Sequence, residues 1–238
     1  MSTITKDQEQ AIADYINSHY LPSGIGTKDA ACSIAAINIA LTNTLTDTVP
    51  GCMSAVIGRW IITIQDAVPD AIRNSQAWKS LLPTAAGTGR EREKERLGII
   101  MDWMWRDVLS QVQGVADEGG YGQEWLTMCK LKTARAADAA ACAADAAAGA
   151  ARAAGAAACA ADAADAADAA ACVTVRADRA AADAADAAAC AADAAAGAAT
   201  DAAAGAATDA DAAAGAAFWD KCDPAKLLVE LIQVGVSK

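Results

Sequence analysis

An all-α fold is predicted by three observations. Between residues 134 and 217 alanine fills 54 of 84 positions, and alanine is the strongest helix former because it freezes no rotamers and buries no polar group. The residues interrupting it keep a helical period. From Arg179, the positions Asp183, Asp186, Cys190, Asp193, Gly197, Thr200, Asp201, Gly205, Thr208, Asp211 and Gly215 fall in one stripe at about 100° per residue. Outside the tract, apolar residues recur at spacings of three and four, as in Met53, Val56, Ile57, Trp60, Ile61 and Ile64. The predicted architecture is an N-terminal multi-helix bundle (1–133), a long Ala-rich antiparallel helical hairpin (134–217) and a C-terminal docking helix (218–238).

Taken in order, residues 5–19 form a first helix capped by Thr5, with Ala11, Ile12, Tyr15 and Ile16 on one side. Leu21 to Gly26 is a turn, and Thr27 or Asp29 caps a second, largely apolar helix from Ala31 to Leu41, buried at the centre of the bundle. Pro50 starts the third helix, whose apolar set ends at Ile64. Pro69-Asp70 starts a fourth, Ala71 to Leu82, closed by Leu82-Pro83. Ala85 to Gly89 is a connector; it lacks the spacing of a phosphate-binding loop and follows no strand.

The fifth helix opens with Arg90-Glu91-Arg92-Glu93-Lys94-Glu95-Arg96, a run of alternating charge expected on a solvated surface, with contact to a partner as the other reading. It continues through Leu97 to Val108, where Trp103 and Trp105 require packing on two sides and Asp102 is expected to pair with Arg106. Gln123 to Lys132 leads into the tract. After it, Asp223-Pro224 begins the last helix, with Leu227, Leu228, Leu231 and Ile232 as its docking face.

Within the tract, Asp138, Cys142, Asp145, Gly149, Arg152 and Cys159 form an earlier stripe, which Asp162, Asp165 and Asp168 widen. The β-branched segment 173–176 interrupts the alanine and reads as the bend of the hairpin, with one unbroken helix as the alternative. A bend between Thr174 and Val175 puts Cys159 and Cys190 at the same height, on arms about 57–60 Å long at roughly 1.5 Å per residue. The stripe is either a solvated face that keeps methyl-coated helices in water or the lining of a groove for a ligand or partner. Candidate positions are Arg152, Arg176, Arg179, Asp183, Asp186, Cys190 and Asp193.

The chain carries a net charge of −11, concentrated in residues 134–220, where thirteen Asp face four Arg. Such a surface disfavours nucleic acid, whose binding draws on Lys and Arg, and favours a basic protein if it has a partner. The N-terminus opens into a polar amphipathic segment, so no signal peptide is expected, and no apolar run is long enough for a membrane span. Eight cysteines without a C-x-x-C pair and one histidine, His19, argue against zinc and for free thiols in a reducing cytoplasm. No cofactor and no metal site are expected.

The stretches Gly89 to Leu97, Asp102-Trp103-Met104-Trp105 and Phe218-Trp219-Asp220-Lys221-Cys222-Asp223-Pro224 resemble uncharacterised alanine-rich helical proteins of phages and prophages. The Ala-Ala-Asp repeats are similar to tracts in proteins labelled putative immunity proteins. The resemblance implies a bacterial host cytoplasm and a role in phage–bacterium conflict, and supplies no catalytic residues. The function expected is a non-enzymatic interaction or structural module that presents a rigid acidic hairpin and associates with itself or another protein. The alternative is a sponge-like protein that sequesters a small nucleotide signal between helices, with Arg152, Arg176 or Arg179 at its phosphate. No His/Cys/Asp constellation marks an enzyme.

Overall fold

The computed structural model describes residues 4–146, 151–172, 177–203 and 208–234, apart from the side chains of 145, 146, 151, 152, 168–172, 177–180, 201–203 and 208–212. Its regular elements are all helical, and among the described residues the one β-type pairing is an isolated bridge between Gly26 and Ala31. Contacts divide the chain into two compact units, Met1–Arg96 with Pro224–Lys238, and Leu97–Asp223.

In the first unit α1 (Lys6–Ser18) starts at a capping box: the Gln8 N–H donates to Thr5 Oγ1 at 3.2 Å, and the Thr5 N–H donates to Gln8 Oε1 at 2.9 Å. Ile12 and Ile16 are wholly buried, whereas Ala11 is exposed. Helix α2 (Ser33–Thr42) buries Ser33 through Asn38 without a gap. Its cap is Cys32, whose Sγ accepts from the Ala35 N–H at 3.4 Å, rather than Thr27 or Asp29. Both stand in the turn before it, where Thr27 N–H donates to Ala30 O and Cys32 N–H to Ile25 O.

Helix α3 (Ala55–Ala67) starts later than Pro50 because Ser54 caps it, its Oγ accepting from the Ile57 N–H at 3.1 Å. Val56, Ile57, Trp60, Ile61 and Ile64 are all wholly buried. The single helix expected over 71–82 is instead α4 (Asp70–Arg73), α5 (Gln76–Lys79) and α6 (Leu82–Ala86). Two side chains break it: Asn74 bonds both the N–H and the carbonyl of the distant Leu21, and Ser75 caps α5 through the Trp78 N–H. Pro83 sits in the first turn of α6, where no bond needs its missing N–H.

Helix α7 (Glu93–Trp103) runs on through a π-turn (Met104–Val108) and a 3-10 turn (Leu109–Val112) into α8 (Gln113–Glu118). Trp103 and Trp105 are both buried, so the helix is packed on two sides. Helix α9 (Gly122–Leu131) follows, with Trp125 donating through Nε1 to Leu109 O at 2.8 Å. The ion pair of Asp102 is with Lys132, and Arg106 acts on it as a weaker favourable charge. Lys132 Nζ takes Asp102 at 2.9 Å, and Arg106 takes Asp107 at 2.8 Å. Arg106 lies in the π-turn, where bonds run from i to i+5, so it no longer stands one α-turn above Asp102.

The Ala-rich tract comprises four helices among the described residues: α10 (Ala134–Ala146), α11 (Ala151–Cys172), α12 (Ala177–Ala203) and α13 (Thr208–Cys222). Sequential neighbours pack side by side, α10 on α11, α11 on α12 and α12 on α13, which rules out one unbroken helix. The expected bend at 173–176 lies outside the described residues. The arms are not rods of about 57–60 Å; α12, with 27 residues, is about 40 Å long at roughly 1.5 Å per residue. A methyl added to Gly215 would sit 3.2 Å from Thr200 Cγ2, so α13 lies beside α12 and the stripe expected to run on to Gly215 is divided. Residues 97–133, assigned by sequence to the N-terminal domain, pack in this unit: α9 meets α10, and α12 meets α8 and the π- and 3-10 turns.

The chain ends with α14 (Pro224–Gln233), which belongs to the first unit and packs on α3 and α6 through Leu227, Leu228, Leu231 and Ile232. Arg96 is wholly buried and holds it, donating from Nε to Leu231 O at 3.2 Å, from Nη1 to Gly89 O at 2.9 Å and from Nη2 to Thr88 O at 3.0 Å. Beside it Glu93, 4% exposed, accepts from Ser54 Oγ at 2.8 Å and from the N–H groups of Ala55 and Val56 at 3.1 and 3.0 Å. The expectation that 90–96 is a solvated charged surface therefore fails for these two residues. They continue the buried face of Leu97, Ile100 and Met104 one turn backwards, and their charge is used on the first turn of α3 and on loop carbonyls.

Candidate functional site: the α11–α12 pair

Helix α12 divides its two faces by residue size. Ala181, Ala184, Ala185, Ala188, Ala191, Ala192 and Ala195 are all wholly buried. At about 100° per residue they span one arc centred on Ala188. Asp183, Asp186, Cys190 and Asp193 are centred on the opposite side; Asp183 and Asp193 are exposed, and Asp186 and Cys190 are half-buried. Helix α11 repeats this, with Ala156, Ala157, Ala160 and Ala163 wholly buried and Asp162 and Asp165 exposed. The cause is hydration: a carboxylate taken into an apolar interior without a partner is far more costly than the small gain from one methyl, so Asp decides which side turns outward.

The two helices approach closely and in a definite register. A methyl built on Gly155 would lie 3.9 Å from the Ala194 Cβ, an ordinary carbon–carbon contact. One helical turn further along each chain, in opposite directions, stand Cys159 and Cys190, close enough that each thiol shifts the other's titration. Equal heights are what the sequence predicts for this pair. The interaction with Cys190 lowers the Cys159 thiol, against partial burial and the charges of Asp162 and Asp193. The same interaction raises the Cys190 thiol, reinforced by partial burial and by Asp186 and Asp193.

Of the seven candidate positions, Asp183, Asp186, Cys190 and Asp193 thus share one edge of the α11–α12 pair. Arg152 and Arg179 belong to α11 and α12 but their side chains lie outside the described residues, as does Arg176 altogether. Cys159 joins the edge through the antiparallel register, and Asp162 through its charge on that thiol. The buried Glu93–Arg96 pair was missed as a structural centre; the signal was present in the spacing Glu93, Arg96/Leu97, Ile100, Trp103/Met104, which is one continuous helical face.

Among the described residues no group of three His, Cys, Asp or Glu side chains is placed to hold a metal ion, and no helix is long and apolar enough to cross a membrane. No protein-family model, no curated protein and no solved structure matches the chain.

Proposed function

We propose that the protein is a non-enzymatic interaction module whose working surface is the acidic edge of α11 and α12, and that its partner is a protein with a basic surface. One observation carries this: on the same two helices most of the described methyl groups are buried within the chain while Asp162, Asp165, Asp183 and Asp193 are exposed. Alanine faces already covered within the chain have little left to offer a second copy, and like-charged edges repel, which favours a different, basic partner over self-association. A rigid helical support suits this role, because carboxylates held on packed helices lose little freedom when they bind. The setting implied by the resemblance, a bacterial cytoplasm under phage attack, is part of the proposal.

The test is chemical crosslinking with mass spectrometry of the protein in its host extract, beside a variant with Asp162, Asp165, Asp183 and Asp193 changed to Asn. Crosslinks from α11 and α12 to a basic protein, weakened by salt and lost in the variant, are expected. Crosslinks unaffected by the four changes would overturn the proposal. So would a small nucleotide released on denaturing the purified protein, which would favour sequestration.

A further inference from the structure

We propose that Cys159 and Cys190 are a redox modification site, a dithiol that a small neutral hydroperoxide converts to a disulfide joining α11 to α12. Two observations place the sulfurs together. One turn away in the same antiparallel register the opposed β-carbon positions, Gly155 and Ala194, are 3.9 Å apart, and the two thiols are near enough for each to shift the other's titration. Disulfides span β-carbons about 3.5–4.5 Å apart, and the neighbouring pair in this register falls within that range. Only small residues permit this; with Leu or Ile along the seam the helix axes would stand at the usual 8–10 Å or so. Both thiols are half-buried rather than sealed, and so can be reached by a small reagent.

The chemistry assigns distinct roles. The interaction between the two thiols lowers Cys159 and raises Cys190, so Cys159 is the better thiolate and the attacking nucleophile. The Cys159 sulfur attacks one peroxide oxygen; an S–O bond forms, the O–O bond breaks, and the leaving oxygen departs as hydroxide and is protonated. The Cys190 sulfur then attacks the Cys159 sulfenic acid, forming the S–S bond and breaking S–O, and the hydroxyl leaves with the Cys190 proton as water. Two thiols lose two electrons in all, and hydrogen peroxide is reduced to two waters. Asp162, Asp186 and Asp193 surround the pair with negative charge, which disfavours anionic disulfides as oxidants and leaves the uncharged hydroperoxide. This inference stands apart from the acidic-edge proposal, since the dithiol can form whether or not a partner binds.

Trypsin provides the readout. Cleavage after Arg152, Arg176, Arg179 and Lys221 places Cys159 on residues 153–176, together with Cys172, and Cys190 alone on residues 180–221. The reduced full-length C172S protein is treated with hydrogen peroxide, its remaining thiols are alkylated, and it is digested. The two peptides are expected to appear linked, two hydrogens lighter than their sum, to separate with dithiothreitol, and to lose the link in C159A and in C190A. Both variants keep the alanine character of the seam, and circular dichroism verifies their helicity. Unlinked peptides from a sample in which the exposed Cys142 has been oxidised would overturn the proposal. A link between two copies of residues 180–221 would also overturn it.

Discussion

Replacing Ala188 with Leu separates two explanations of why the Ala-rich helices are stable. If propensity alone holds them, the change is nearly neutral, because Leu follows Ala closely on the helix scale. Packing predicts otherwise. Ala188 is wholly buried at the centre of the methyl face of α12, among neighbours that are wholly buried too. Three added carbons have no space there without displacing a helix, and overpacking of this kind costs about 1–3 kcal/mol. For a unit of this size that lowers the melting temperature by roughly 4–10 °C. A188G should also destabilise, by about 1.8 kcal/mol from a lost methyl (about 0.8) and lower helix propensity (about 1). A158L, at an exposed position of α11, should stay within about 0.5 kcal/mol of the parent. Thermal melts followed by far-ultraviolet circular dichroism measure all three. An A188L protein as stable as its parent would refute the close-packed interior.

Three further outcomes are expected. G155A should stabilise by about 0.5–1 kcal/mol, since its methyl meets Ala194 at ordinary contact distance and alanine replaces a poor helix former; a loss of stability would mean that α11 and α12 lie closer than the geometry states. E93A should cost about 3–5 kcal/mol in urea unfolding, because Ser54, two N–H groups of α3 and the buried Arg96 all lose a charged neighbour, and E93Q should cost less. Native alkylation at pH 8 should label Cys142 and spare Cys222 and Cys129, whose thiols burial pushes up to about 12 and about 11. These two thiols keep their protons in the folded state while the unfolded chain releases them. Their contribution to stability is therefore full below pH 9 and falls as pH rises through 11 and 12, which a pH series of urea melts would record.

Helix identity was legible along most of the chain because propensity and caps are local. The Thr5 capping box, the buried set of α3 and the docking face of α14 follow from residues within one or two turns of each other. The outward side of α12 was legible for a similar reason, since Asp cannot turn inward alone. The register of the α11–α12 pair was legible from its symmetry, with Cys159 and Cys190 equally distant from residues 173–176. Boundaries set by a remote partner were not. Asn74 interrupts the expected fourth helix by bonding Leu21, and Lys132 takes Asp102 from Arg106.

The sequence by itself determined that the chain is helical and which side of α11 and of α12 carries the exposed carboxylates, since both depend on the properties of single residues and their neighbours one turn away. Only the tertiary structure decided that the tract comprises four packed helices among the described residues, that Glu93 and Arg96 turn inward, and that residues 97–133 join the alanine helices. The physical reason is the uniformity of alanine. One methyl resembles the next, so the tract carries no local mark of its packing partners, and Gly155, Gly197 and Gly215 all lie within helices. The choice falls to the sum of many small contacts across the interior.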